Sequence, residues 1–169
     1  MDNLTESFSY ILPSIVVGLI AYYFLGSLVN QNKTDRNLDL LIAKKKQSLP
    51  IRLQAHERML LFCERINPVK MLLRIEPISE ETNHYLQLLL KNIEQEFEHN
   101  LVQQIYLSDQ CWNVIVASKN AITNKLKQVG ETATSANELR ENILIDYSKT
   151  LPPTNTAIDF IKNDVKKLL

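Results

Sequence analysis

Glycine is nearly missing from this chain. There are three, Gly18, Gly26 and Gly130, and two of them fall in an apolar N-terminal stretch, so the remainder holds one. Phosphate-cradling loops, tight hairpins and nucleotide fingerprints need glycine where φ is positive or where backbone must approach a ligand, and none can be built here. An excess of charge of one sign is missing too: 19 Lys and Arg balance 19 Asp and Glu for a formal net charge of zero. A general nucleic-acid binder carries a basic surplus that displaces counterions from phosphates, so nucleic acid is not an expected partner. Strand signals are absent, and no internal repeat of fixed period is found.

Charge is also absent from Ser7 to Asn32, and the core of that run, Phe8 to Val29 (FSYILPSIVVGLIAYYFLGSLV), is apolar. Wound as a helix it reaches about 33 Å, enough for a hydrocarbon layer of ~30 Å. A cleaved signal needs a basic n-region and a shorter apolar core, whereas Asp2 and Glu6 are the only charges before the run. The expectation is a retained transmembrane anchor over residues 1–32. Lys33, Arg36, Lys44, Lys45, Lys46 and Arg52 all follow it, which puts the N-terminus outside and the rest in the cytoplasm at the inner membrane. Ser14 and Gly18 are spaced to let a second helix approach closely. Residues 33–47 read as a basic stalk, in which Lys44, Lys45 and Lys46 could touch anionic lipid headgroups or simply set topology.

Residues 48–169 read as a helical domain of about four to six helices, giving an all-α fold class. Ser48 before Leu49-Pro50 predicts a helix start. The stripe Ile51, Ala55, Met59, Phe62, Cys63, Ile66 predicts its buried face. Asn67-Pro68 opens a short apolar helix to Ile75. One long helix is expected from Glu80 to Leu107, with Leu86, Leu89, Leu90, Ile93, Phe97, Leu101 and Ile105 on its buried side. Ser108 caps the next, which shows a near-heptad seam of Cys111, Ile115, Ser118, Ile122, Leu126 and Val129 and ends at Gly130. Ser135-x-x-Glu138 is a capping box, and Thr156-x-x-Asp159 resembles one.

Residues that could carry chemistry are few. Glu-x-x-His occurs as Glu81-Thr82-Asn83-His84 and as Glu96-Phe97-Glu98-His99. Bundles that bind two metals place such pairs on facing helices, but these two copies share one helix about 22 Å apart. Glu96 and His99 stay as weak metal candidates, and His84 and His99 as ordinary helix histidines. Cys63 and Cys111, each on an apolar stripe, read as buried free thiols; a thiol- or metal-dependent enzyme or sensor using them with Glu96 and His99 is the alternative. Trp112 reads as core or groove packing. Arg58 or Arg65 is expected to pair with Glu94 or Glu98 across an interhelical groove.

The segments LPIRLQAHERMLLFCERINP (Leu49 to Pro68), IEQEFEHNLVQQIYLSDQCW (Ile93 to Trp112) and SANELRENILIDY (Ser135 to Tyr147), with AYYF (Ala21 to Phe24), resemble a family of short bacterial proteins. These have one N-terminal transmembrane helix and a cytoplasmic helical domain of unknown function. The resemblance implies that architecture and no activity, cofactor or catalytic residue. The leading expectation is therefore a membrane-anchored, non-catalytic interaction protein that presents a helical bundle to a protein partner. No cofactor or small-molecule substrate is called for. A further alternative is a homo-oligomer formed through the 111–129 seam.

Overall fold

A computed structural model describes residues 16–25 and 46–169. Their regular structure is entirely helical, with no strand among the described residues. The chain separates into two compact units, Met1–Ser48 and Leu49–Leu169. In the first, residues 16–25 are helical and exposed throughout, and a Cβ added at Gly18 would meet open space. No helix among the described residues is long and apolar enough to cross a membrane. The expected span reaches from Phe8 to Val29, so most of it, with Ser14, lies outside the described residues, as do Lys44 and Lys45. Lys46 is helical and exposed.

The second unit is a bundle. We label its helices α1 (residues 46–65 as described), α2 (Pro68–Arg74), α3 (Thr82–Asn100), α4 (Asp109–Thr132), α5 (Ala136–Lys149) and α6 (Pro153–Lys166). A 3-10 helix, Leu101–Tyr106, joins α3 to α4. α4 lies at the centre, packed chiefly on α6 and also on α3 and α5, while α2 packs on α5. The seam read from the sequence is the reason: Cys111, Ile115, Ser118, Ile122, Leu126 and Val129 are all buried. That seam is consumed inside the bundle and is not free for self-association. The helices after Gly130 belong to the same core, with Leu139, Ile143, Ala157 and Ile161 at most 1% exposed.

Caps account for most helix starts. Asn67 Oδ1 accepts from the Lys70 amide at 3.3 Å, and its Nδ2 donates to buried Thr154 Oγ1 at 3.1 Å, so the cap of α2 also holds the start of α6. Ser108 Oγ accepts from the Cys111 amide and Ser135 Oγ from the Glu138 amide. At α5 the Glu138 carboxylate also takes the Thr134 amide and hydroxyl.

Four boundaries differ from the sequence reading. α1 is already helical at residue 46, so it passes through Ser48 instead of starting there, and Pro50 lies inside it. α6 begins at Pro153, the second of a proline pair whose fixed φ suits a first turn, which leaves Thr156 inside the helix. α3 stops at Asn100 instead of Leu107. The 3-10 winding that follows advances 120° per residue and not 100°, so the apolar stripe loses its register. Leu101 is 41% and Ile105 67% exposed. Gly130 does not end α4, which continues to Thr132, and no described residue has positive φ. Its role is close approach, since a Cβ there would lie 2.8 Å from Leu86 Cδ2.

Candidate functional site

Two features of the bundle combine exposure with organised chemistry, and both are built on α1. The first is a groove between α1 and α6 with a volume of about 480 Å³, lined by Leu53, His56, Glu57, Leu60, Ile161, Lys162, Val165 and Lys166. Its positions repeat at three and four residues on each helix, which sets one side-chain row from each along a shared channel. The floor is aliphatic. Lys162 and Lys166 stand along the α6 rim and Glu57 on the α1 side, all exposed.

Beneath the groove sits a buried polar cluster. His56 is 1% exposed and Asp164 7%. The Arg52 carbonyl, 2.7 Å from His56 Nδ1, can only accept, so Nδ1 carries a proton. His56 Nε2 lies 3.2 Å from Asp164 Oδ2, and the Ser108 hydroxyl donates to that same oxygen at 2.9 Å. Burial works against the Asp164 charge, but the hydrogen bonds from His56 and Ser108, with the charge on His56, outweigh it and hold the carboxyl below its ordinary 3.8. The His56 ring thus meets a backbone carbonyl at Nδ1 and a carboxylate at Nε2. The pair fastens α1 to α6 and to the cap of α4.

Cys111 joins this cluster: its Sγ, a His56 ring nitrogen and an Asp164 oxygen lie within 4.8 Å of one another. Sulfur, nitrogen and oxygen donors of this kind suit a zinc-like ion. Here, however, Nε2 and Oδ2 already face each other, Oδ2 also receives the serine hydroxyl, and no fourth His, Cys, Asp or Glu among the described residues completes the set. Nor is the thiol activated. Burial and the Asp164 charge push Cys111 up to about 12, and burial pushes Cys63 to about 12 as well. Both are free and buried, as expected. A cysteine nucleophile needs a thiolate and an available base; both nitrogens of His56 are engaged elsewhere. We read the cluster as a structural clasp.

The second feature is a depression of about 350 Å³ between α1 and α3, lined by Arg58, Leu61, Phe62, Arg65, Glu96, His99 and Asn100. It gathers four of the residues singled out in the sequence, Arg58, Arg65, Glu96 and His99, but not in the expected pairings. Arg65 Nη1 contacts both Glu96 oxygens, at 2.9 and 3.1 Å, whereas Glu94 pairs with Lys119 at 2.7 Å. Neither Glu94 nor Glu98 meets Arg58 or Arg65 in a described ion pair. Helical geometry gives the reason. Taking Ile93 and Phe97 as the centre of the buried stripe, Glu96 lies about 80° to one side and Glu94 about 80° to the other, with Glu98 farther round. One flank meets α1 and the other α4. The Lys119 ammonium also stands 4.1 Å from the Phe97 ring, which stacks on half-buried Trp112 at 5.5 Å and meets Phe62 at 5.8 Å.

With Glu96 held by Arg65 and His99 exposed, the proposed metal pair does not form part of any three-residue donor group among the described residues. His84 is exposed, with Nδ1 3.2 Å from the Ser79 hydroxyl. The clasp itself was missed in the sequence, although a signal existed. His56 is three residues from Met59 and seven from Cys63, and Asp164 is three from Ile161 and seven from Ala157. Two polar residues on two buried stripes point to a partnered pair.

The description "Family of unknown function (DUF7935)" covers residues 2–168, nearly the whole chain. No curated protein matches, and no solved structure does.

Proposed function

We propose, from the premise that the chain belongs to the DUF7935 family of unknown function, that it is a membrane-anchored, non-catalytic interaction module. Its helical bundle receives a protein partner in the α1–α6 groove. The tether is the uncharged run from Ser7 to Asn32, and the cations that follow it support a single-pass chain with its bundle in the cytoplasm.

The observation that carries the reading is the groove: about 480 Å³, floored by Leu53, Leu60, Ile161 and Val165 and rimmed by Lys162, Lys166 and Glu57. An amphipathic helix docks by laying apolar residues at i, i+3, i+4 and i+7 into such a channel. Two lysines on one rim favour a partner with acidic residues along that side. The enzyme alternative has less behind it, since burial pushes both thiols up and the Glu96 carboxylate is engaged by Arg65.

A photo-crosslinking residue placed at Leu60 or Val165 of the full chain in its native membranes tests this. We expect one discrete heavier adduct from the groove positions and none from an exposed position on the far end, such as Glu131. Adducts of the same pattern from every position, or none from the groove, overturn the proposal.

A further inference from the structure

The 3-10 helix Leu101–Tyr106 has no buried residue. Val102 is 65% and Ile105 67% exposed, and Leu101 and Tyr106 are exposed beside them. This is a run of uncovered apolar surface between two helices of the bundle, and its place is fixed. Arg52 Nε donates to the Tyr106 carbonyl at 3.4 Å, which sets the segment against the first turns of α1, where Ile51 is 48% exposed. Ser108, two residues past the segment, bonds Asp164 in the last turns of α6. The start of α1, the 3-10 helix and the end of α6 therefore share one end of the bundle.

Cations line that end. Lys162, Lys166 and Lys167 are exposed on α6 and its C-cap, and Arg52 adds a fourth cation. Against them stand exposed Glu57, Glu98, Asp109 and Asp159, Asp164 being engaged by His56 and Ser108. The opposite end is acidic. There the Ala136 amide bonds the Glu80 carbonyl and Arg140 approaches Glu76, so Glu76, Glu80, Glu131 and Glu138 gather where α2, α3, α4 and α5 meet. Cations thus flank the uncovered apolar segment at one end of the bundle. That end is also the one at which the unit begins, at Leu49, three residues after the Lys44-Lys45-Lys46 run.

We infer that this end of the bundle docks on an anionic lipid surface, with Val102 and Ile105 entering the headgroup region and Lys166 and Lys167 beside the phosphates. The inference rests on the membrane-anchored reading above, which delivers the bundle to such a surface. A convex aliphatic knob flanked by lysines suits interfacial insertion, whereas a protein ligand seeks concavity, which the α1–α6 groove supplies. Cations near an anionic leaflet add to the apolar term and bring salt dependence.

The test uses the full chain reconstituted in vesicles of phosphatidylcholine, with and without phosphatidylglycerol. Ile105→Cys, or Gln128→Cys toward the other end, is labelled with a polarity-sensitive dye. The native thiols, buried and held protonated, leave the introduced one to react first. In phosphatidylglycerol vesicles the label at 105 is expected to shift blue and be quenched by brominated lipid, while the label at 128 stays water-like. Lys166→Gln with Lys167→Gln lowers the docked-to-free ratio roughly 25-fold, about fivefold for each cation. Water-like emission at 105 in both vesicle types, from a chain that resists alkaline carbonate, overturns docking and leaves the tether standing. A blue shift independent of lipid charge and of the two lysines means that protein covers the patch, and also overturns it. Carbonate extraction of a chain that still shows the charge-dependent shift supports docking and removes the tether.

Discussion

Removing the Asp164 carboxylate strands two donors at once, the His56 ring and the Ser108 hydroxyl. Breaking one side of a buried ion pair costs about 3–5 kcal/mol because the remaining charge is left in apolar surroundings. The Asp164 side chain is 10% exposed, so some water reaches the site and the expected loss for Asp164→Ala is near the lower bound, about 3 kcal/mol. Asp164→Asn keeps an acceptor oxygen and should lose about half as much. Urea unfolding of both variants measures this, and a loss no greater than for an exposed substitution means that the clasp is idle. The same carboxylate makes stability pH-dependent. Its folded value lies below the ordinary 3.8, so its contribution is complete above that pH and is lost as the pH falls further through the folded value. Glu138, lowered by hydrogen bonds from Thr134, acts in the same direction. Acid titration of Asp164→Asn should therefore show a shallower decline below about pH 4 than the parent chain.

Among elements, the caps give the sharpest comparison. Ser135 makes one capping bond, from the Glu138 amide, and its loss to alanine should cost about 1 kcal/mol. Ser108 makes the same bond to Cys111 and also donates to Asp164, so Ser108→Ala should cost about 2 kcal/mol. Equal midpoints for the two variants in chemical denaturation would show that the second bond contributes nothing. The first of those bonds was readable from the sequence, since Ser108, Asn67 and Ser135 each precede a periodic apolar run. The second was not, because it depends on which helix end comes to lie beside the cap. The same distinction runs through the site. Periodicity placed Cys63, Cys111 and Phe97 on buried faces, and charge composition suggested that α1 and α3 meet. It could not choose Glu96 over Glu94 without knowing that α1 and α4 flank α3 on opposite sides. The exposed 3-10 helix was read as buried because its aliphatic spacing continues that of α3, and only the change in winding turns it outward.

For the molecule as a whole, the order of helices in the chain hides how the core is divided. α6 arrives last, after a polar link and two prolines, and looks like an appendage. Yet α4 packs more extensively on α6 than on α3 or α5, and Ala157, Ile158 and Ile161 are buried in the same core as Ile115 and Ile122. Deleting α6 uncovers several fully buried aliphatic side chains, each contributing roughly 1.5–3 kcal/mol, and leaves His56 without Asp164 and Asn67 without Thr154. A domain of this size is stable by only about 5–15 kcal/mol, so those losses together match or exceed the whole margin. A chain ended after Lys149 should then lack a cooperative melt, expose apolar surface to a hydrophobic dye and aggregate, while residues 49–169 melt cooperatively as a unit. Circular dichroism and dye binding on the two fragments decide the matter. A cooperative transition in the truncated chain at a similar temperature would mean that α1 to α5 close a core of their own, and the α1–α6 groove would then be a seam between a domain and a detachable arm.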